Sequence, residues 1–178
     1  MLVRSLVQED RSSIRRLVSQ RGTFTTQEIK VAMELVDDAL RHGEKSDYRI
    51  LCAMEGPRVV SGYICFGLIP MTDKCYDLYW IVVDKKYAGQ GVGGKLLEEM
   101  ERLVAGKKGR HIYVETSSTH GYEAARAFYM KHGYGPVCTL NDFYRQGDHK
   151  LVFMKEVCGN AHGKGKTVCT GKNPRRDR

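Results

Sequence analysis

Apolar and polar positions alternate with two different periods along the first 157 residues, and the switches between periods mark the elements. Residues 2–7 form a short strand candidate, and Gln8, Glu9 and Asp10 then supply acidic residues suited to a helix start. Over residues 10–19, Ile14, Leu17 and Val18 share one helical face. Thr25, with Glu28 three positions on, predicts a capping box. The helix that it opens carries Ile29, Ala32, Met33, Val36 and Leu40 on one stripe and stops at Gly43. Residues 48–54 and 59–69 are strand-like and flank the turn Glu55-Gly56-Pro57-Arg58. After a break over residues 70–74, the run YDLYWIVV at 76–83 predicts a buried third strand of an antiparallel meander.

Leu96, Leu97 and Met100 place one face on a helix running from about residue 93 to 105. A turn at 106–109 leads to a strand at 111–115. A helix from about 122 to 132 follows, with Ala124, Ala125, Phe128 and Tyr129 near one face and Gly133 at its end. Residues 134–142 and 149–157 predict two further strands, joined by 143–148. The order β-α-α-β-β-β-α-β-α-β-β predicts a layered α/β domain over residues 1–157. Its mixed, mostly antiparallel central sheet has six to seven strands, one parallel crossover and helices on both faces. Beyond Val157 the periodicity dissolves into a Gly- and Lys-rich segment, residues 158–178, expected to be a disordered tail.

Charge changes this picture only once it is divided. The chain has 29 Lys and Arg against 21 Asp and Glu, and the tail holds six of the former and one of the latter. That leaves 23 basic against 20 acidic residues, +3, for residues 1–157, and +5 for the tail. Nonspecific nucleic-acid contact is therefore expected of the tail alone, if at all, with a basic nucleic-acid-binding protein as a minor reading. No apolar run approaches the roughly 20 residues that cross a bilayer, and the N-terminus meets charges too early for a secretory signal. A cytoplasmic protein without membrane partners is the expectation. None of the six cysteines forms a CxxC pair, and Cys52, Cys65, Cys75 and Cys138 lie in or beside apolar runs, which predicts reduced, buried thiols. Cys158, His162 and Cys169 have no fourth partner at zinc spacing, so no metal site is expected.

The chemistry concentrates at residues 76–100, YDLYWIVVDKKYAGQGVGGKLLEEM. A strand passes through a five-residue turn into Gly89, Gly91, Gly93 and Gly94 and then a helix. Such a junction gathers free backbone N–H groups at the positive end of a helix dipole, an anion site suited to a pyrophosphate. Gly89, Gly91 and Gly94 match GxGxxG, and Glu115 ends the next strand where a ribose-binding acid would sit. The intervening turn and the lack of further βα units argue against a dinucleotide fold, and no Walker sequence surrounds Lys95. A ligand-free glycine turn ranks behind an anion site, because four glycines in six residues exceed what a turn needs.

Over residues 2–157, and most densely at LYWIVVDKKYAGQGVGGKLL and ARAFYMKHGYG, the sequence resembles the GNAT superfamily of acyl-CoA-dependent N-acetyltransferases. The resemblance implies acetyl-CoA as co-substrate. Its pantetheine would pair with the backbone of Ile81, Val82 and Val83, and its pyrophosphate would rest on the amides of Gly89, Gln90, Gly91, Val92, Gly93 and Gly94. It implies Tyr129 as the general acid that protonates the departing thiolate, a role open to a phenol of ordinary pKa about 10. Ala88 departs from the pattern where Gln or Arg is usual, leaving phosphate binding to backbone N–H groups aided by Lys85, Lys86 or Lys95. Tyr122 stands where many members carry Asn.

An amine must be neutral to attack, so a base is expected near the acceptor, with Glu115 ranked ahead of Asp77. Asp77 and Tyr79 share a strand face by the period of two and, with Glu115, are the expected acceptor-binding residues. Polar residues 116–120 line the entrance in this reading, and the aromatic, charged segment 142–150 forms a hairpin over it. The acceptor is a small-molecule or peptide amine, attacking directly in a ternary complex. A homodimer stays open, and the rival reading is a noncatalytic acyl-CoA-binding or regulatory module.

Overall fold

The protein is described by a computed structural model over residues 1–20, 22 and 24–157. Cys158, His162, Cys169 and the expected disorder of the tail lie outside the described residues. The elements are β1 (Leu2–Ser5), α1 (Asp10–Gln20), α2 (Thr26–His42), β2 (Tyr48–Glu55), β3 (Val59–Leu68) and β4 (Cys75–Val83). They continue with α3 (Val92–Gly106), β5 (His111–Ser117), α4 (Glu123–Lys131), β6 (Gly135–Arg145) and β7 (Asp148–Glu156). The order is the expected one.

Local chemistry explains the boundaries. Glu28 N–H donates to Thr25 Oγ1 at 3.2 Å and Thr25 N–H to Glu28 Oε2 at 2.7 Å, a complete capping box that starts α2. The bidentate pair of Arg4 with the buried Asp10 carboxylate, at 2.6 and 2.9 Å, ties β1 to the first turn of α1.

The seven strands form one sheet in the order β1-β2-β3-β4-β5-β7-β6. Only the β4–β5 pair is parallel, as the single crossover requires. Helices cover both faces. Leu96, Leu97, Met100 and Val104 of α3 pack with Tyr129, Leu78, Ile112, Val114 and Phe153 on one side. Ile14, Leu17 and Val18 of α1 pack with Val36 of α2, Tyr63 and Val82 on the other.

Two details differ from expectation. Strand β6 extends through the expected loop to Arg145, and the hairpin turns at residues 146–147. Pairing jumps from Leu140↔Lys150 to Arg145↔Asp148, so residues 141–144 bulge opposite His149 alone, with Asp142 at φ +52°. The bulge is held by Asp142 N–H donating to His149 Nδ1 and Gly147 N–H to Asp142 Oδ1, both at 2.8 Å. Cys138, expected to be buried, is exposed, because β6 is the open edge of the sheet; the other three described thiols are buried or half-buried, and all four are free. No helix among the described residues is long and apolar enough to cross a membrane.

Candidate active site

The sheet divides within β4. Strand β5 runs beside β4 only from Cys75↔His111 to Leu78↔Val114, and then continues alongside β7 from Glu115 to Ser117. From Tyr79 onward β4 follows β3 alone, so its edge over residues 79–83, toward β5, has no strand partner. The cause sits at the point of departure. Cys65 pairs with Trp80 but Phe66 with Leu78, which makes Tyr79 a bulge residue, and bulges bend a strand and increase its twist. Aromatic packing fixes that bend: Tyr79 meets Tyr48 edge-on at 5.4 Å, and Trp80 meets Phe24, just before α2, at 5.2 Å.

The glycine loop closes the far end of that free edge. Gly89 and Gly91 adopt φ +76° and +82°, where a β-carbon is strained, and Gly91 caps α3 in the left-handed region. The first-turn amides of Val92, Gly93 and Gly94 are those a helix leaves without internal acceptors. A β-carbon on Gly93 would meet the Phe128 ring at 3.2 Å, and one on Gly94 the His132 Nε2 at 3.1 Å. The small residues thus let α4 seat against the start of α3. Asp84 caps the preceding turn through Lys86 N–H at 3.0 Å and pairs with Arg16 of α1 at 2.9 Å. The side chains of Val82 and Val92 are buried, so both residues can meet a ligand through backbone only. Gln90 Nε2 donates to Lys86 O at 3.0 Å, which uses that side chain within the loop.

The two faces of the division carry different chemistry. On the α3 and α4 face, Tyr129 is 6% exposed and packs on Tyr134 and Phe153, with ring centroids at 6.1 and 6.3 Å. Phe153 lies opposite Val114, the last β5 residue that pairs with β4, so Tyr129 stands at the level where the strands part. On the other face, Asp77 of β4 lies within reach of the Glu115 charge on β5, and Tyr79 within reach of the Asp77 charge.

A residue the sequence analysis missed joins them: Lys150 of β7, whose Nζ is 2.7 Å from Glu115 Oε2 and 3.8 Å from the Phe143 ring centroid. Its only signal was the aromatic and charged composition of residues 142–150. Burial, then the Glu115 charge, hold the Asp77 carboxyl above the usual carboxylate range, against the opposing pull of Lys150. Burial, followed by Asp77, pushes the Tyr79 phenol up to about 12. Tyr122 and Tyr144 are also raised, first by burial and then by nearby carboxylates, Glu28 for Tyr122 and Glu115 for Tyr144.

Residues 116–120 differ from the expected entrance lining. Thr116 and Ser117 are buried, and the Ser117 hydroxyl donates to Asp148 at 2.5 Å. Arg126 Nη1 donates to the carbonyls of Ser117 and Thr119 at 2.8 Å. These residues brace the β5–α4 connection and tie it to the hairpin, while His120 faces solvent and pairs with Glu123. A groove of about 430 Å³ beside the loop is lined by Gly91, Gly94, Lys95, His132 and Lys155. A wider cavity of about 800 Å³ lies at the opposite end of the sheet, between the starts of β2 and β4 and the end of α3, away from the division and its charged groups.

Comparison with known proteins bears on the family and the fold. The model of the acetyltransferase (GNAT) domain matches residues 46–136. A crystal structure of a protein assigned to the GNAT family of acetyltransferases from Desulfovibrio desulfuricans is 37% identical, with a TM-score of 0.85 over 88% of this chain and 99% of that one. The ribosomal-protein-S18-alanine N-acetyltransferase of Escherichia coli is 16% identical, with a TM-score of 0.70 over 94% of this chain and 97% of that one. An aminoglycoside 6'-N-acetyltransferase complexed with coenzyme A is 17% identical, with a TM-score of 0.67 over 89% and 98%. No curated protein sequence matches the chain.

Proposed function

Because the chain belongs to the GNAT family of acetyltransferases, with acetyl-CoA as its co-substrate, we propose that it transfers the acetyl group to a primary amine by direct attack in a ternary complex. The observation that carries this reading is the division of the sheet at Leu78. It leaves a strand edge at Ile81, Val82 and Val83 that leads to the amides of Gly89, Gln90, Gly91, Val92, Gly93 and Gly94. An extended pantetheine amide chain suits the free edge, and a pyrophosphate suits the helix start. Since Val82 and Val92 turn their side chains into the core and Ala88 offers no donor, the cofactor is held mainly by backbone.

The opening passes between the two faces of the sheet, and this separates the roles. The amine enters over Asp77, Tyr79 and Glu115. Asp77 accepts the ammonium proton, because burial raises its affinity for one and Glu115 is already committed to Lys150. This reverses the order in which the sequence ranks the two acids. The amine nitrogen then attacks the thioester carbonyl, the C–N bond forms and the C–S bond breaks. Tyr129, on the other face, gives its phenolic proton to the departing thiolate, and the second proton shed by the acylated nitrogen passes through solvent to restore the phenol. The acceptor is a small-molecule or peptide amine whose cation suits this acidic, aromatic face.

Thiol release from acetyl-CoA, followed against a mixed library of amines, tests the reading. The expected result is turnover with at least one amine, and in Tyr129→Phe a kcat lower by about 10²-fold with unchanged coenzyme A binding. Coenzyme A binding without thiol release across the library would favour the noncatalytic module. An unchanged kcat in the variant would remove Tyr129 as the acid.

A further inference from the structure

Lys150 has no part in the reaction just described, yet its surroundings are built around it. Only 13% of its side chain is exposed. Its ammonium is held between the Glu115 carboxylate at 2.7 Å and the Phe143 ring at 3.8 Å, a charge-assisted contact on one side and a cation–π contact on the other. Phe143 reaches it because residues 141–144 leave the ladder, and the positive-φ turn at Asp142 is fastened by two hydrogen bonds.

The strand registers then connect Lys150 to the acceptor face. Asp77 pairs with Tyr113, and Glu115 is two positions further along β5 on the same face, so the two carboxylates are diagonal neighbours. A like charge so placed makes Asp77 harder to ionise, and a cation seated on that charge opposes the effect. We propose that Lys150 is a positioning residue that sets its charge against that of Glu115 at the rim of the acceptor face and thereby governs how strongly Asp77 holds a proton. The inference rests on the reading of Asp77 as the base. The other titratable groups facing this cluster among the described residues are Tyr79 on β4 with Tyr48, Asp47 and Cys65 beside it, Tyr113 on β5, Tyr144 and Asp148 on the hairpin, and Glu28 and Tyr122 beyond Tyr144. None of these is a second cation seated on Glu115.

The sign follows from the charges. In Lys150→Met, Glu115 loses its counter-ion, its charge acts on Asp77 unopposed, and the Asp77 proton is held to higher pH. Titration of the Asp77 carboxyl carbon by NMR in the coenzyme A complex reads this directly and needs no acceptor. The expected result is a midpoint moved up by about one pH unit in Lys150→Met. It should return in Lys150→Arg and in Lys150→Met/Glu115→Gln, and fall below the wild-type value in Glu115→Gln alone. The last variant keeps the test available if Lys150→Met does not fold. A midpoint unmoved in folded Lys150→Met, or a double variant that behaves like Lys150→Met, would overturn the proposal. So would Glu115→Gln leaving the midpoint where it was. The acidic limb of kcat/KM, once an acceptor is in hand, separates the two ideas. A moved carboxyl titration with an unmoved limb upholds the role of Lys150 and removes Asp77 as the base.

Discussion

In the proposed mechanism, Asp77 is the residue on which the acceptor side turns. It lies half-buried beside an acid of like charge, and its proton affinity is raised by burial first and by Glu115 second. A group whose folded-state pKa lies above its unfolded value stabilises the fold only while protonated, so the fold loses stability as pH rises through that folded value. Asp77→Asn removes this loss. The variant is therefore expected to melt at a higher temperature than the wild type at pH 7, with the difference disappearing near pH 3, where Asp77 is protonated both folded and unfolded. The same variant lowers kcat/KM by about 10²-fold or more if Asp77 is the base. A melting temperature that falls at pH 7 would contradict the raised affinity. The shared face of Asp77 and Tyr79 was legible in the sequence from the period of two, although the bulge at Tyr79 breaks that period for the residues after it. Lys150 was not, since its place beside Glu115 depends on the register between β5 and β7 and on a bulge in a third strand.

Among the elements, the β4–loop–α3 unit does most to define the site, and it was also the most legible part of the chain. Its strand, glycines and helix are each local patterns, and Gly89 and Gly91 adopt the positive φ that makes glycine necessary. What the sequence did not disclose is the bulge at Tyr79. A bulge is defined by the partner strand, here Cys65 and Phe66 of β3, and no feature of residues 76–83 alone marks it. The bracing role of residues 116–120 was hidden for a related reason: the Ser117 hydroxyl is taken by Asp148 and the carbonyls of Ser117 and Thr119 by Arg126, contacts between separate segments. The loop itself supports a gain-of-function test. Ala88 has φ −60° and ψ 142°, a conformation open to any side chain, and precedes the first loop glycine. Ala88→Arg adds a charged donor where the site relies on backbone, and is expected to tighten coenzyme A binding about tenfold by calorimetry, less at high salt. An unchanged Kd would place the pyrophosphate elsewhere.

At the scale of the whole molecule, the proposed function rests on one sheet that divides. The meander and the β5-β7-β6 unit share only four paired positions, Cys75 to Leu78 with His111 to Val114. Helices α3 and α4 close one face, and α1 and α2 the other. The element order, the two helical layers and the parallel crossover were all legible. The insertion of β7 between β5 and β6 was not, because strand order in a sheet is a matter of long-range pairing. In the proposed function, that division connects the Tyr129 face with the Asp77 face, and the cofactor lies along the free edge of β4. An NMR titration of backbone amides with coenzyme A tests this most directly. The account predicts that the largest shifts fall on Ile81, Val82 and Val83 and on Gly89 through Gly94. It would be contradicted by shifts concentrated instead around the 800 Å³ cavity at the opposite end of the sheet, at Tyr48, Arg49 and Lys107.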